Sequence, residues 1–321
     1  MKFRTEIKID SLPTKIGYEN RILALGSCFS EHISQRLNQL KFTIESNPTG
    51  ILFNPESIAV ALEHYAKGER IAKKDLQVAE DVWFHYDFHS DFSALSANEA
   101  LEKMNFGLER GEKALAAADR LLITFGTAWV YEREGNVVAN CHKQPQRLFQ
   151  RRRLSVAEIV ARYTSLFEGV LRGREVILTV SPVRHVGDGL AENMLSKSIL
   201  RLAVEELTEK FANVSYFPSY EIMVDDLRDY RFYADDLVHP SAQGVAYVWE
   251  QFKAAALSKE ALKLIPRVEN LIAMCNHRPR NPQSEAHQKL LKKCLMQIED
   301  LKPLDFSTEK RVLEQCLEIN L

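Results

Sequence analysis

The stretch Arg21-Ile22-Leu23-Ala24-Leu25-Gly26-Ser27-Cys28-Phe29 decides the fold class of this sequence. Its apolar run up to Leu25 is typical of a buried strand, and an amphipathic, helix-like segment begins near Ser30. Gly26-Ser27-Cys28 therefore lies on a turn between a strand and a helix, a place where α/β proteins expose a nucleophile. The stretch predicts a strand–turn–helix unit with a reactive side chain at the turn.

The rest of the chain repeats this alternation of short apolar runs and longer amphipathic segments. Alternating strands and helices predict a parallel sheet with helices on both faces, and such sheets bind ligands at the carboxyl ends of their strands. The further strands are predicted at Leu40–Ile44, Leu121–Phe125, Val176–Val180 and Val214–Phe217, and the helices at Ser30–Gln39, Pro55–Ala66, Asn98–Ala118, Val156–Leu171 and Leu190–Phe211. The strand ends carry Gly26-Ser27-Cys28, Asn47-Pro48-Thr49-Gly50, Gly126-Thr127 and Ser181-Pro182-Val183-Arg184.

The chain divides into two predicted parts. Residues 1–258 form the α/β domain, and the alternation is interrupted near residues 68–95 and 129–141, where we predict inserted hairpins. Residues 259–321 hold helical patterns without a strand candidate, so we predict a helical C-terminal extension. These patterns are predicted to break at Pro266, Arg278–Pro282 and Pro303.

The composition is that of an ordinary soluble globular protein. Of its 321 residues 45% are hydrophobic, and a formal net charge of −2 gives no reason to expect nucleic acid as a partner. We interpret the basic cluster Arg151-Arg152-Arg153 as the solvated flank of a helix start. The sequence has no apolar signal region, no stretch of the ~20 apolar residues that span a membrane, and five scattered cysteines. We therefore predict a cytoplasmic protein with free thiols, without membrane contact and without a cofactor.

A second motif, Asp236-Leu237-Val238-His239-Pro240, supplies the groups that would activate a nucleophile. Asp236 and His239 are close enough in one turn for the carboxylate to orient the imidazole. Nucleophile, base and orienting acid are the three parts of a hydrolytic triad. Cys28 at the helix start would have a lowered thiol pKa, whereas Ser27 would need His239 to take its proton. The structural alternative is that Gly26 makes a tight turn, Ser27 caps the helix and Cys28 packs as a small buried residue.

These motifs together resemble the GSCFA-domain family, which is grouped with the SGNH/GDSL hydrolases. The family motif reads Leu25-Gly26-Ser27-Cys28-Phe29-Ser30 here, with Ser30 in place of the final alanine, and the resemblance covers roughly residues 20–255. It implies a flavodoxin-like three-layer α/β/α sandwich and ester hydrolysis or acyl transfer. The other stretches that resemble the family are Asn140–Lys143, Ser181–Arg184, Tyr216–Glu221, Leu227–Tyr233 and Asp236–Ser241.

The sequence departs from the SGNH pattern at two positions. Laid on the Gly-Asp-Ser block of that superfamily, Gly26-Ser27-Cys28 places the nucleophile on Cys28. The oxyanion-stabilising asparagine of the third block is absent, since Gly126 is followed by Thr127 and Ala128. We expect the backbone N–H groups of Cys28 and Gly50 to form the oxyanion site. Further candidates for the substrate side of the site are Gly26, Asn47, Gly126, Thr127, Asn140 and His142.

Other polar clusters offer alternatives to this interpretation. Cys28, Cys141, His142 and His239 could bind zinc, and His85, Asp87 and His89 would share one strand face and could bind iron or zinc. Neither has a recognised ligand spacing, so we expect no metal and a solvated hairpin face. The arginines near the predicted active edge could clamp a carboxylate or phosphate on the substrate, or instead pair with Asp225, Asp226 or Asp229. They are Arg184, Arg228 and Arg231.

The leading hypothesis is an SGNH-type hydrolase or acyltransferase that acts on a small-molecule ester or thioester. The nucleophile would be Cys28 or Ser27, His239 the base and Asp236 its orienting acid, and a thiolate nucleophile favours thioesters or acyl transfer. The alternative is a ligand-binding module that has lost catalysis, with its helical extension docking a partner. The sequence identifies no particular protein partner. We predict a hydrogen bond from His239 Nδ1 to Asp236 and an Nε2 that faces the Gly26–Cys28 turn.

Overall fold

A computed structural model describes residues 4–318 of the chain, which form a parallel sheet between two layers of helices. The strands are β1 Arg21–Gly26, β2 Thr43–Ser46, β3 Gln77–Ala79, β4 Val82–Phe84, β5 Arg120–Phe125, β6 Trp129–Arg133, β7 Asn136–Val138, β8 Gln150–Arg153, β9 Glu175–Val180 and β10 Val214–Phe217. The helices are α1 Cys28–Gln39, α2 Pro55–Lys67, α3 Ala97–Ala117, α4 Val156–Glu168, α5 Leu190–Lys210, α6 Ser219–Glu221, α7 Ala242–Ala256, α8 Lys259–Cys275, α9 Glu285–Asp300 and α10 Ser307–Glu318. A π-helical turn, Ile222–Leu227, continues α6.

The central sheet has the strand order β2-β1-β5-β9-β10, and all four neighbouring pairs are parallel. The order reverses between β1 and β5, and such a switch point opens a crevice at the carboxyl ends of the strands. The register pairs Gly26 with Thr124, so the turn after β1 and the turn after β5 lie side by side in this crevice. The predicted α/β fold is confirmed, and each predicted strand overlaps an observed one.

The alternation of side chains along β1 builds the two helical layers. Leu23 and Leu25 belong to a hydrophobic cluster with residues of α2, α3, α4 and α5. Ile22 and Ala24 point to the other face, into a cluster with Phe29 of α1 and residues of α7, α8 and α9. Because successive side chains of a strand alternate between faces, one apolar run supplies both halves of the core.

Two inserted β units lie outside the central sheet. The first is the antiparallel hairpin of β3 and β4; its second strand ends at Phe84, whereas a strand face extending to His89 was expected. The second insertion is larger than predicted, because β8 joins β6 and β7 in a three-stranded sheet. Arg151-Arg152-Arg153 therefore lies in strand β8, which ends two residues before Ser155, the N-cap of α4, so the cluster flanks a helix start as part of a strand. Arg151 and Arg153 lie over the Trp129 ring, with Arg151 3.9 Å from its centre, and Arg152 pairs with Glu132 at 2.7 Å.

The C-terminal extension is helical, as predicted, but α8 continues through Pro266. The buried residues Ile265 and Val268 on either side of the proline hold the helix against the core, which offsets the hydrogen bond that proline removes. Lys41, just after α1, forms an ion pair with Glu309 at 2.5 Å, at the end of α1 remote from Cys28. Among residues 4–318, no helix combines the length and the apolar character needed to cross a membrane.

Candidate active site

A strained glycine turn joins β1 to α1 at the switch point. Gly26 has a φ of 136°, and a Cβ at this position would lie 2.2 Å from the carbonyl oxygen of Thr124. Only glycine tolerates both conditions. The N–H of Gly26 donates to Asn47 Oδ1 at 2.9 Å, and the N–H of Ser27 donates to the carbonyl oxygen of Thr124 at 3.3 Å. The turn is therefore fixed between the two strands that flank β1.

Ser27 and Cys28 have different surroundings. Ser27 is the N-cap residue of α1, yet its side chain makes no cap bond, and its Oγ is buried without a hydrogen-bond partner among the described residues. Cys28 is the first residue of α1 and lines a cavity of about 620 Å³ that His239 also lines. The cavity thus presents the thiol of Cys28 to a ligand, while the hydroxyl of Ser27 is enclosed.

The base and its orienting acid occupy a tight turn before α7. His239 Nδ1 donates to Asp236 Oδ2 at 2.7 Å, and the backbone N–H groups of Val238 and His239 donate to Oδ1 at 2.9 and 3.0 Å. The bonds from the backbone and side chain of His239, with that from Val238, lower the pKa of Asp236 to about 2. The carboxylate accepts, so Nδ1 carries the proton and Nε2 is left as the basic nitrogen. The predicted hydrogen bond is confirmed.

His239 lines the same cavity as Cys28, and its charge acts on two neighbouring histidines. Burial lowers the pKa of His32, which lies one helical turn after Cys28, and the charges of Arg36 and His239 lower it further against the opposing Glu31. Burial, together with the charges of Lys197 and His239, lowers the pKa of His185 to about 4. The imidazole of His239 is therefore at the same sheet edge as Cys28, which the triad hypothesis requires.

The Cys28 thiol does not have the lowered pKa that its position predicted. Burial raises its pKa, and this effect outweighs the lowering by the N–H groups of Phe29 and Cys28 and by the charge of Lys197. The helix start therefore acts in the expected direction, but the partly enclosed thiol loses more through desolvation than it gains. Cys28 is a protonated thiol that needs a base and a nearby cation to react.

Lys197 is the charged residue of this site that the sequence interpretation missed. It is 1% exposed, and its Nζ donates to the carbonyl oxygens of Gly126 at 2.6 Å and Ser181 at 2.7 Å, which follow β5 and β9. Burial lowers its pKa to about 7, while the Cys28 thiolate acts in the opposite direction. The detectable signal was its place on the apolar stripe of α5, three residues before Leu200.

The predicted oxyanion donors after β1 and β2 form other hydrogen bonds. The N–H of Gly50 donates to the carbonyl oxygen of Asn47 at 2.8 Å, and the N–H of Gly26 uses Asn47 Oδ1. Asn47 Nδ2 lies 3.5 Å from Glu31 Oε1. These groups close the turns, so the assignment of Gly50 as the partner of the Cys28 N–H in the oxyanion site is wrong.

The candidate oxyanion donors after β5 are also hydrogen-bonded within the protein. The N–H groups of Gly126 and Thr127 both donate to the carbonyl oxygen of Phe53, at 2.8 and 2.9 Å. The hydroxyl of Thr127 bonds to Ser196 Oγ at 3.1 Å and accepts from the N–H of Trp129 at 3.1 Å. These bonds tie the turn after β5 to the start of α2 and to α5, and they leave the turn no backbone donor for a ligand.

The loop that follows β7 carries two of the predicted substrate-side residues, of which Asn140 lines the cavity and His142 does not. Asn140 lines the cavity, and its Oδ1 accepts the N–H of His142 at 2.8 Å. His142 Nε2 bonds to the carbonyl oxygen of His85 at 2.9 Å, and its ring stacks on Phe84 with centroids 4.4 Å apart. His142 therefore supports the loop structurally, because its ring is used against the first insertion, and its expected place on the substrate side is wrong.

Two of the three predicted anion-binding arginines, Arg184 and Arg228, line one pocket beside the cavity, and Arg231 does not line it. Arg184 lines the cavity, but its Nη1 donates to the carbonyl oxygen of Leu237 at 3.2 Å, which supports the turn between Asp236 and His239. Arg231 lies 3.8 Å from Asp229 with an exposed side chain, and Arg228 lines a neighbouring pocket. The pairing of Arg231 with Asp229 confirms the alternative interpretation at that position.

Neither metal alternative has a matching arrangement in the described part of the chain. Within residues 4–318, no group of three or more histidine, cysteine or acidic residues is placed to hold a metal ion. His85, Asp87 and His89 follow the end of β4, so they do not share a strand face. Asp87 Oδ2 lies 3.4 Å from His64 Nε2 and 3.8 Å from His85 Nδ1.

The inserted three-stranded sheet forms one wall of the cavity. This wall consists mainly of aromatic and apolar side chains, and it faces the polar groups of the site, which include Cys28 and His239. Such a combination of an apolar wall with a few polar groups is typical of small-molecule sites. The wall includes Trp129, Tyr131, Val138 and Phe149.

Two family models match separate parts of the chain. The model of the GSCFA family matches residues 21–252. A second model, described as the C-terminal domain of GSCFA domain proteins, matches residues 268–319, a segment that the sequence resemblance left outside. The chain matches none of the curated proteins.

Proposed function

The chain belongs to the GSCFA family, and from this premise we propose that it is an SGNH-type hydrolase or acyltransferase in which Cys28 is the nucleophile. The observation that carries the proposal is that Cys28 and His239 line one cavity at the switch point of the sheet, and that Nδ1 of this histidine is hydrogen-bonded to Asp236. A nucleophile, a base and the acid that orients the base are the groups that activate the attack in acyl transfer. We place the reaction in the cytoplasm and its substrate among small esters and thioesters.

The proposed reaction begins with proton transfer from the Cys28 thiol to Nε2 of His239. Asp236 stabilises the resulting imidazolium, and Lys197 in its protonated form stabilises the thiolate. The thiolate attacks the acyl carbon, and the tetrahedral intermediate collapses with transfer of the proton from His239 to the leaving group. Water or an acceptor then attacks the thioester, with His239 again taking the proton, and Cys28 is released.

The test is formation of a covalent acyl adduct on the peptide that contains Cys28. We expect the protein treated with p-nitrophenyl acetate to carry this adduct in mass spectrometry and to release p-nitrophenolate. His239→Ala should slow the release by ~100- to 10,000-fold, the usual contribution of a general base. Asp236→Asn should slow it as well, because the neutral amide no longer stabilises the imidazolium.

Cys141 provides the matched control, since it lines the same cavity and burial raises its pKa to about 11. Cys141→Ala should leave the adduct and the release rate unchanged, whereas Cys28→Ala should abolish both. An adduct on Cys141, or release that survives in Cys28→Ala, would refute the proposal.

The second candidate is a ligand-binding module without catalysis. The raised pKa of the Cys28 thiol and the occupied backbone donors at Gly50, Gly126 and Thr127 favour it. In that case esters would raise the melting temperature of the protein, and the unmodified chain would form no adduct.

A further inference from the structure

The proposed reaction needs a donor for the carbonyl oxygen that becomes negatively charged. The N–H of Cys28 is available, because the first N–H groups of a helix have no partner within it. The N–H groups of Gly50, Gly126 and Thr127 are bonded elsewhere. A second donor must therefore come from a side chain of the cavity.

Asn54 is held beside the nucleophile turn by the chain that precedes it. The N–H of Leu52 donates to the carbonyl oxygen of Gly26 at 3.1 Å, and the carbonyl oxygen of Phe53 accepts the N–H groups of the β5 turn. A Cβ on Gly126 would lie 2.8 Å from the Phe53 oxygen and 3.4 Å from Ser27 Cβ. The segment Leu52–Asn54 is therefore packed between the two turns of the switch point.

The side-chain oxygen of Asn54 is hydrogen-bonded within the protein, whereas its NH₂ group is left for a ligand. Asn54 is the N-cap residue of α2, and its Oδ1 accepts the N–H of Ser57 at 2.8 Å, which fixes the orientation of the amide. The residue is 5% exposed and lines the cavity with Cys28 and His239. Among residues 4–318, its Nδ2 has no hydrogen-bond acceptor. A buried amide donor with a fixed orientation costs little reorganisation when charge develops next to it.

We infer that Asn54 is a catalytic residue whose Nδ2 donates, together with the N–H of Cys28, to the oxyanion of the tetrahedral intermediate. The inference rests on the proposed function. In the step concerned, the Cys28 thiolate forms a bond to the acyl carbon and the carbonyl π electrons move to the oxygen, which both donors then stabilise. Asn54 thus replaces, from the start of α2, the asparagine that is absent after Gly126.

Two reactions of the same thiol separate this role from a structural one. Acylation by p-nitrophenyl acetate passes through an oxyanion, whereas alkylation by iodoacetamide displaces iodide and forms none. Asn54→Ser keeps an N-cap acceptor for Ser57 and removes the amide donor. We expect it to slow acylation of Cys28 by ~100- to 1,000-fold, with an unchanged rate of alkylation, an unchanged KM and an unchanged melting temperature.

Asn20→Ser is the matched control, because Asn20 is also 5% exposed and its Oδ1 also accepts a backbone N–H, at 2.7 Å, but it precedes β1, at the end of the strand remote from Cys28. It should acylate at the rate of the unmodified chain. If Asn54→Ser does not fold, Asn54→Thr replaces it, since its neutral hydroxyl keeps the cap without adding a charge beside the thiol.

Three results would overturn the inference: acylation unchanged in Asn54→Ser, acylation lost equally in Asn20→Ser, or acylation and alkylation falling together. An unmodified chain that forms no acyl adduct at all would instead refute the proposed function. That result is visible before any Asn54 variant is made.

Discussion

The buried ammonium of Lys197 should make the stability of the protein depend on pH in the alkaline range. The pKa of this lysine falls from an ordinary value of 10.5 to about 7 because of burial. Between these two pH values the unfolded chain binds a proton that the folded chain does not, so the free energy of unfolding rises with pH. Below pH 7 both states are protonated, and above pH 10.5 neither is.

The size of the effect follows from the same two values. One pKa unit corresponds to about 1.36 kcal/mol, so the full difference of about 3.5 units is worth on the order of 5 kcal/mol. Between pH 7 and pH 9, where urea titrations are practical, about 2 kcal/mol of this should appear. Lys197→Met removes the titrating group and should remove this part of the slope. Lys197→Gln, which keeps a donor for the carbonyl oxygens of Gly126 and Ser181, serves if the methionine variant does not fold.

The measurement is the free energy of unfolding in urea at several pH values for the unmodified chain and the variants. Lys210→Met is the matched control, since Lys210 lies at the exposed end of the same helix. This variant should keep the slope of the unmodified chain. Parallel curves for the unmodified chain and Lys197→Met between pH 7 and pH 9 would refute the reasoning.

Two further predictions concern the nucleophile turn. Ser27→Ala removes a buried, unpartnered hydroxyl that makes no cap bond, so the free energy of unfolding should change by less than about 1 kcal/mol. Ser96→Ala, which removes a working cap on Glu99 of α3, should cost about 1 kcal/mol in the same urea titration. Gly26→Ala should destabilise the chain by roughly 3 kcal/mol or more, because the new Cβ meets the Thr124 oxygen at a φ that alanine avoids. Gly135→Ala has the positive φ without a neighbouring atom and should cost only about 1 kcal/mol.

The comparison of each variant with its control can refute the physical reason given for it. Ser27→Ala that costs as much as Ser96→Ala would mean that Ser27 caps α1 after all. Equal losses in Gly26→Ala and Gly135→Ala would mean that φ alone, and not the contact with Thr124, makes Gly26 necessary.

The sheet was predictable because its signal is local. Each buried strand is a short apolar run, and the alternation with amphipathic helices determines that the strands are parallel. Asp236 and His239 were predictable for the same reason, since they are only three positions apart in one turn. The end of β4 could not be predicted from the sequence. The alternating pattern continues to His89, although the pairing of β4 with β3 ends at Phe84.

The donors and charges of the site were not predictable, because they depend on contacts between distant segments. The N–H of Gly126 is unavailable only because the carbonyl oxygen of Phe53, 73 positions earlier in the chain, accepts it. The pKa of Cys28 depends on how deeply the cavity encloses the thiol, which no local pattern reports. Lys197 was visible as a charge on an apolar stripe, but its partners follow two different strands.

The C-terminal helices belong to the same hydrophobic cluster as Phe29, Ile33 and Leu37 of α1. The two segments that separate family models recognise are therefore not independent modules that could be exchanged between chains. A change of shape in the helix that presents Cys28 must therefore be accommodated by the C-terminal helices as well. Relatives that lack these helices should carry polar residues at the positions of Ile33 and Leu37, or recruit a second chain to cover them.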